Sequence, residues 1–176
     1  MIAIVALIIA ALLGSDAKAG VYSAVVSDVR HTLNSVRSVR VFVAETTEVL
    51  TAAKLERLAA EGPKDDPPNA LALARREIEL EKLLAAGATV DRVPNGSGWI
   101  VTEKEPRDLR CSGVNWELER DVFIRFSRPV FIGPDRALVY AYTKDCISFG
   151  HDLIVLERSG AAWKTVMSYQ IAGAGE

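Results

Sequence analysis

Apolar and polar positions along the chain follow two different periods, which divide it into a helical first half and a stranded second half. Between Val21 and Val36, apolar residues recur every three to four positions, the spacing of one face of a helix. In the second half they alternate with polar residues or form short runs between turn residues, which is typical of strands. The pattern predicts helices over residues 21–36, 52–61 and 70–86, a short helical turn over 114–121, and strands over 38–45, 99–101, 122–132, 136–144, 151–157 and 162–171.

Local signals predict where several of these elements end. Thr51 is a suitable N-cap for the second helix, and Gly62 is a suitable residue to end it. Asn69 and Gly87 have the same two roles for the third helix. Pro129 lies inside the first of the long strands and has no N–H to donate to a neighbour. It therefore indicates an edge position or a bulge in that strand.

The connections between the last strands are short and rich in turn residues, as at 133–136 and 158–161. Strands joined in this way pair antiparallel, so we predict a C-terminal antiparallel β-meander of four or more strands. A block of helices followed by a block of strands is the α+β pattern, and we expect the N-terminal helices to pack on one face of the sheet. Residues 20–176 are predicted to form this single α+β domain.

The first nineteen residues differ from the rest of the chain. Ile2–Leu13 is an unbroken apolar run of twelve residues, which is shorter than the about 20 residues that a membrane-spanning helix needs. Such a run followed by Ala17–Lys18–Ala19, a small-x-small cleavage pattern, is typical of a secretory signal peptide. We predict a signal peptide over 1–19, with Gly20 as the mature N-terminus. No Lys or Arg precedes the apolar run, so an uncleaved N-terminal anchor is the alternative.

The two cysteines fit an exported protein. Cys111 and Cys146 form an even pair, and such a pair usually forms a disulfide in an oxidising compartment. Two buried thiols are the alternative. Together with the predicted signal peptide, the pair indicates an exported protein that is periplasmic or secreted.

Charge and composition exclude some classes of function. The 176 residues include 21 Lys and Arg against 23 Asp and Glu, a net charge of −2, so bulk charge does not favour nucleic acid as a partner. Hydrophobic residues make up 49% of the chain, and fifteen of them lie in residues 1–19, which leaves a domain of ordinary polarity. A membrane is therefore expected as a partner only through an uncleaved N-terminal segment.

Few side chains are suited to catalysis. The two histidines are His31, which lies off the apolar stripe of the first helix, and His151, which opens a strand beside Asp152. Adjacent strand residues point to opposite faces, so Asp152 is not expected to orient His151. Arg128 precedes Pro129 at an irregular point and is a candidate for binding an anion or carboxylate. No nucleophile elbow, phosphate-binding loop or metal-ligand spacing occurs, and we predict no catalytic residue, no metal and no cofactor.

The C-terminal half carries a set of short segments in a fixed order. Phe126–Phe131 reads FSRPVF, and ALVY at 137–140, LIVLE at 153–157 and AWK at 162–164 follow it. Over residues 122–167 these segments resemble a group of small exported bacterial proteins of unknown function, which implies export and an α+β fold but no activity. The strands are also similar to cone-shaped α+β folds of the nuclear-transport-factor-2 type. Those folds place a long N-terminal helix against a curved sheet and often use its concavity as a pocket.

These observations leave three hypotheses of function. The leading one is a non-enzymatic binding or interaction module, because no catalytic constellation is recognised. One alternative is a small hydrolase or a small-ligand-binding pocket protein that uses carboxylates with His151 or Arg128. Another is a periplasmic immunity or inhibitor protein. The expected partner is accordingly an unknown protein or a small molecule.

Overall fold

A mixed β-sheet with helices on both of its faces forms the body of the protein. The structure, a computed structural model, describes residues 2–61, 70–113 and 117–175. Within these residues the chain forms four helices: α1 (Ile2–Thr32), α2 (Ala52–Glu61), α3 (Ala70–Glu77) and α4 (Leu80–Gly87). The same residues form eight strands: β1 (Ser38–Ala44), β2 (Ile100–Thr102), β3 (Cys111–Ser112), β4 (Glu119–Phe126), β5 (Val130–Phe131), β6 (Arg136–Lys144), β7 (Ser148–Ser159) and β8 (Ala162–Gly175).

The strands are ordered β2-β1-β4-β6-β7-β8, with β3 paired to β4 and β5 paired to β6. The antiparallel neighbours β4, β6, β7 and β8 form a meander, and the fold is α+β. β1 pairs parallel to both β2 and β4, so the predicted meander is only part of a sheet that is mixed as a whole. Strands joined by short connections pair antiparallel, but β1 and β2 are not joined in this way. Three helices lie between them, and a connection of that length permits parallel pairing.

The sheet carries a hydrophobic core on each face. α1 packs Val21, Tyr22 and Val25 against one face, while α2, α3 and α4 cover the other. The prediction that the helices cover a single face is therefore wrong. The segments 137–141 and 153–156 are buried throughout, because side chains that point either way from these strands meet a helix layer.

α1 ends at Thr32 rather than at residue 36 as predicted. The next residues form a turn in which the Val36 N–H donates to the Leu33 carbonyl at 2.9 Å. Asn34 and Ser35 lie in this turn, and both residue types favour turns over a helix interior. The turn leads directly into β1, which agrees with the predicted strand.

α1 also continues without a break through the predicted cleavage point between Ala19 and Gly20. Lys18 forms an ion pair with Asp91. Gly20 lies so close to Trp163 that a Cβ there would be 2.7 Å from the Trp163 Cδ1. In the described part of the chain, no helix has both the length and the apolar character needed to cross a membrane. Cleavage and the uncleaved alternative both stay predictions.

α2 matches the predicted second helix. Thr51 caps it as expected, because its Oγ1 accepts a hydrogen bond from the Lys54 N–H at 3.1 Å. Gly62 and Asn69, the predicted end of this helix and cap of the next, lie outside the described residues.

The helix predicted over 70–86 is in fact two helices, α3 and α4, separated at Ile78 and Glu79. On a continuous helix Ile78 and Leu80 would lie about 200° apart, on nearly opposite sides. Both side chains are buried in the core beneath these helices. The break is what allows both to face the sheet, and Gly87 is the last residue of α4.

The strand predicted over 122–132 is β4 followed by β5, and Pro129 lies in the break between them, as its missing N–H indicates. β4 begins at Glu119, so the prediction of a helical turn over 114–121 is wrong for its last residues. β1 and β3 both pair with this end of β4, and that pairing overrides local preference. Residues 114–116 lie outside the described part of the chain.

Cys111 and Cys146 form the predicted disulfide, with Cα atoms 6.1 Å apart. The bond joins β3 to the turn between β6 and β7. Beside it, the buried Asp145 pairs with Arg120 at 3.5 Å and accepts a hydrogen bond from the Ser148 N–H at 2.7 Å. This corner of the sheet is therefore held by covalent, ionic and hydrogen-bonded contacts. It also forms part of the rim of a cleft between α1 and the sheet.

Candidate functional site

A cleft of about 990 Å³ opens between the last turns of α1 and the sheet. Its volume is at the upper end of the range for small-molecule sites, about 300–1,000 Å³. Residues of α1, β4, β6, β7 and β8 contribute to its walls, together with Glu61 at the end of α2.

One side of the cleft is apolar. Val25, Val29 and Leu33 line it from α1, and Val122 and Ile154 line it from the sheet. Val29 and Leu33 are only half-buried, although they pack at the edge of the core under α1. This partly exposed hydrocarbon in a concave surface is the kind of wall that holds the apolar part of a ligand.

The floor of the cleft is polar and centres on Gly150. A Cβ at this position would lie 3.2 Å from the Asp152 Oδ2, 3.3 Å from the Thr143 Oγ1 and 3.8 Å from the Gln170 Nε2. Three polar atoms from three different strands therefore converge on the space above one glycine. A small convergent polar set in a largely apolar concavity is the usual composition of a ligand site.

A β-bulge aligns the floor residues of β7 and β8. Asp152 lies directly opposite Gln170, so both side chains point to the cleft side of the sheet. His151 pairs with Ala172, so Ile171 is an extra residue on β8. This extra residue places Gly173 opposite Gly150, while Ile171 and Ala172 stay in the core on the other side of the sheet.

A second glycine makes room for the Gln170 amide. A Cβ at Gly173 would lie 2.3 Å from the Gln170 Nε2 and 2.8 Å from the Phe149 carbonyl oxygen. No real Cβ approaches other atoms so closely, so any larger residue at Gly173 would displace the amide or the backbone. Gly150 and Gly173 together form a floor of bare backbone beneath the polar groups.

Asp152 is a carboxylate in this floor that has no ion-pair partner among the described residues. Burial raises the pKa of its carboxyl to about 6, against the opposing effect of a hydrogen bond that the Ser168 Oγ donates to Oδ1 at 3.3 Å. Within the described residues, no salt bridge involves Asp152. A half-buried charge without a partner destabilises a fold, so such a group is a candidate for function.

The other charges at the cleft are mostly matched by partners. The Lys144 ammonium pairs with Glu105 at 2.7 Å, and Asp145 belongs to the ion pair beside the disulfide. Glu61 is exposed and has an arginine one turn away at 4.0 Å. Asp28 is exposed on α1 and, like Asp152, is in no salt bridge of the described residues. The cleft therefore carries a surplus of negative charge.

His151 lies on the opposite face of the sheet from Asp152, as the alternation of the strand predicted. Its Nδ1 is 2.6 Å from the Tyr140 Oη, and its ring packs on that of Tyr142 with centroids 4.8 Å apart. Burial lowers the pKa of His151, and the nearby positive charge of Lys54 lowers it further. His151 does not line the cleft, so the two ionisable neighbours in sequence belong to different environments.

Arg128 does not line the cleft either. Its Nε is 3.8 Å from the Asp91 Oδ2, and its Nη1 donates to the Thr89 Oγ1 at 3.2 Å. Asp91 also pairs with Lys18, and that hydrogen bond lowers the pKa of the Asp91 carboxyl. Arg128 is thus a half-exposed member of an ion-pair cluster, and its binding of an anion stays a prediction.

No cluster suited to a metal ion occurs in the part of the chain that the structure describes. His31 is exposed on α1 and does not line the cleft. The floor residues Thr143, Asp152 and Gln170 were not expected as a site. One local signal exists in the sequence: Gly150 and Asp152 come just before the apolar run 153–156 and are not residue types that build a hydrophobic core.

Comparisons of the chain with protein-family models, with curated proteins and with solved structures find no match. The function of this protein therefore rests on the geometry of its cleft.

Proposed function

We propose that this protein binds a small organic molecule in the cleft between α1 and the sheet and does not transform it. The observation that carries the proposal is the convergence of Asp152, Thr143 and Gln170 on the space above Gly150. The apolar wall that α1 contributes supports the same proposal, because it can hold the apolar part of the ligand.

The separation of the histidine from the cleft favours binding over hydrolysis. General acid–base catalysis uses a group within hydrogen-bond reach of the reacting atoms, and His151 faces away from this cleft and contacts Tyr140 instead. In the described residues the cleft therefore combines carboxylates and one ammonium group with hydroxyls and an amide, without an imidazole.

Hydrolysis with Asp152 as a general acid is the second candidate function. It is supported by the raised pKa of this carboxyl, about 6, since acid–base groups work best when their pKa lies near the ambient pH. Turnover of chromogenic esters or glycosides that is abolished by Asp152→Asn would favour it. Binding without turnover would favour the first candidate.

An interaction with a partner protein, including an immunity or inhibitor role, is kept as a weaker proposal. The exposed large apolar side chains are distributed over several elements, as in Val49, Leu73, Val90 and Ile100. Scattered residues of this kind are normal on a soluble surface and do not by themselves indicate an interface.

We further propose that the protein is exported by a bacterium and is periplasmic or secreted. The disulfide is compatible with an oxidising compartment. N-terminal sequencing of the exported protein is expected to begin at Gly20, and recovery of Met1 would contradict cleavage. Cleavage would remove Lys18 from its ion pair, but Asp91 would keep Arg128 as a partner at 3.8 Å.

The binding proposal is tested by filling the cleft. Ser168 is exposed and lines the cleft, so Ser168→Trp would occupy its space. Val166 lies on the same strand, is 49% exposed and does not line the cleft, so Val166→Trp is the matched control. We expect saturation-transfer NMR with a library of small amines, alcohols and acids to find compounds that bind the wild type and the control.

The same compounds should bind Ser168→Trp at least tenfold more weakly. Equal binding by Ser168→Trp would place the ligand elsewhere and contradict the proposal. A library in which no compound binds the wild type would contradict it as well.

A further inference from the structure

We propose that the ligand carries a primary ammonium group on an apolar stem, with the ammonium seated above Gly150 against Asp152. This inference rests on the proposed function, since it names the chemical class that the same cleft would take.

The geometry above Gly150 suits an ammonium group. A primary ammonium has three N–H donors. The Asp152 Oδ2 and the Thr143 Oγ1 are acceptors that meet above this glycine, 3.2 Å and 3.3 Å from its ideal Cβ position. The Gln170 amide reaches the same space and can present its carbonyl oxygen as a third acceptor by turning about its last bond. The glycine leaves the space between these groups free.

Charge selects a cation over other ligands. The carboxylates of Asp152 and Asp28 have no cationic partner among the described residues. The cationic group at the rim, that of Lys144, is already matched by Glu105. An anionic ligand would therefore meet repulsion, and a neutral one would leave the Asp152 charge desolvated and uncompensated. A cation removes that penalty.

The apolar stem follows from the wall opposite the polar floor. Val25 and Val29 on α1 and Ile154 on β7 line the same cleft as Asp152. A ligand anchored by its ammonium would therefore place its hydrocarbon against these side chains. A small inorganic cation would leave this wall unused, and it would also lack the ligand number that hard divalent cations require.

The test compares three probes of one shape and different charge: n-hexylamine, 1-hexanol and hexanoate. Isothermal titration calorimetry at pH 7.5 is expected to give n-hexylamine the strongest binding. 1-Hexanol should bind at least tenfold more weakly, and hexanoate should not bind measurably. Asp152→Asn should weaken n-hexylamine at least tenfold while the affinity for 1-hexanol changes less than threefold. Asp135→Asn, on the exposed turn before β6, is the control that should change neither.

The outcomes separate the two proposals. If n-hexylamine and 1-hexanol bind equally well and Ser168→Trp weakens both, the cleft is a binding site but the ammonium inference is overturned. The inference is also overturned if other library compounds bind in the cleft while n-hexylamine does not. If Ser168→Trp weakens no compound, the proposed function itself fails. The comparison of the three probes uses the wild-type protein, so it stays decisive even if a variant does not fold.

Discussion

Replacing Asp152 by Asn should make the unliganded protein more stable at neutral pH. The Asn side chain has nearly the same shape and can still accept the hydrogen bond that the Ser168 Oγ donates to Oδ1. The substitution removes only the negative charge, which is half-buried and has no cationic partner among the described residues. If this charge is kept for a ligand, it destabilises the empty protein.

The size of the effect follows from the raised pKa. The Asp152 carboxyl has a pKa of about 6 in the folded protein, against an ordinary value of 3.8 for this group. By linkage, holding this group ionised at pH 7 costs the folded state about 3 kcal/mol relative to the unfolded chain. Between about pH 4 and pH 6 the folded state keeps a proton that the unfolded state has released. Wild-type stability relative to the variant therefore falls as pH rises through this window.

Urea denaturation at pH 7 and at pH 3 tests this prediction. At pH 7 the urea midpoint of Asp152→Asn should lie about 1–2 M above that of the wild type. At pH 3 Asp152 is protonated in both states, so the two midpoints should coincide. The other charged residues that line the cleft are Asp28, Glu61, Lys144 and Asp145. They are present in both proteins, so the comparison isolates the effect of the Asp152 carboxyl.

Asp135→Asn serves as the control, because Asp135 is exposed on a turn and should contribute little at either pH. An Asp152→Asn variant that is no more stable than the wild type at pH 7 would refute the reasoning. A gain of the same size at pH 3 would also refute it, because it could not come from the charge.

Three further predictions concern the scaffold and are measured by urea denaturation. Replacing both Cys111 and Cys146 by Ser should lower the free energy of unfolding by about 3–4 kcal/mol in the chain-entropy model, since the cysteines are 35 residues apart; an unchanged midpoint would contradict this. Leu83→Ala should lower it by about 2–5 kcal/mol, because the Leu83 side chain is fully buried between α4 and the sheet, and a loss below 1 kcal/mol would argue against that packing. Arg40→Met should cost about 3 kcal/mol, since it leaves the buried Asp121 carboxylate without the guanidinium that donates to it at 2.8 and 2.7 Å; Asp121→Ala should cost less, because it leaves only the half-exposed Arg40 unpaired, and the reverse order would contradict the account.

Much of the fold can be predicted from the sequence, because the signals that specify single helices and strands lie in residues close together along the chain. The strand over 136–144 and the helix capped by Thr51 depend on periodicity and on one side-chain hydrogen bond, and both occur as expected. The parallel pairing of β1 depends on where a long connection returns, and no local pattern encodes that. The two-sided burial of 137–141 and 153–156 was visible as continuous apolar runs, which are typical of strands covered on both faces.

The candidate site could not be predicted in the same way. Asp152 and Gln170 face the same cleft because the register of β7 and β8 makes them direct partners, and that register includes two bulges that no local sequence pattern reveals. Thr143 is an ordinary strand residue until β6 places its hydroxyl above Gly150. His151, the residue that stood out in the sequence, lies on the other face and contacts Tyr140. Side-chain chemistry alone therefore does not show which member of this adjacent pair faces the cleft.

Chemical-shift mapping of the best-binding library compound on the isotopically labelled protein tests the central claim most directly. The account predicts that the perturbed backbone amides cluster at 143–152, at 165–173 and in the last turns of α1, and that Ser168→Trp abolishes the shifts. Perturbations confined to α2–α4, on the His151 face of the sheet, would contradict it.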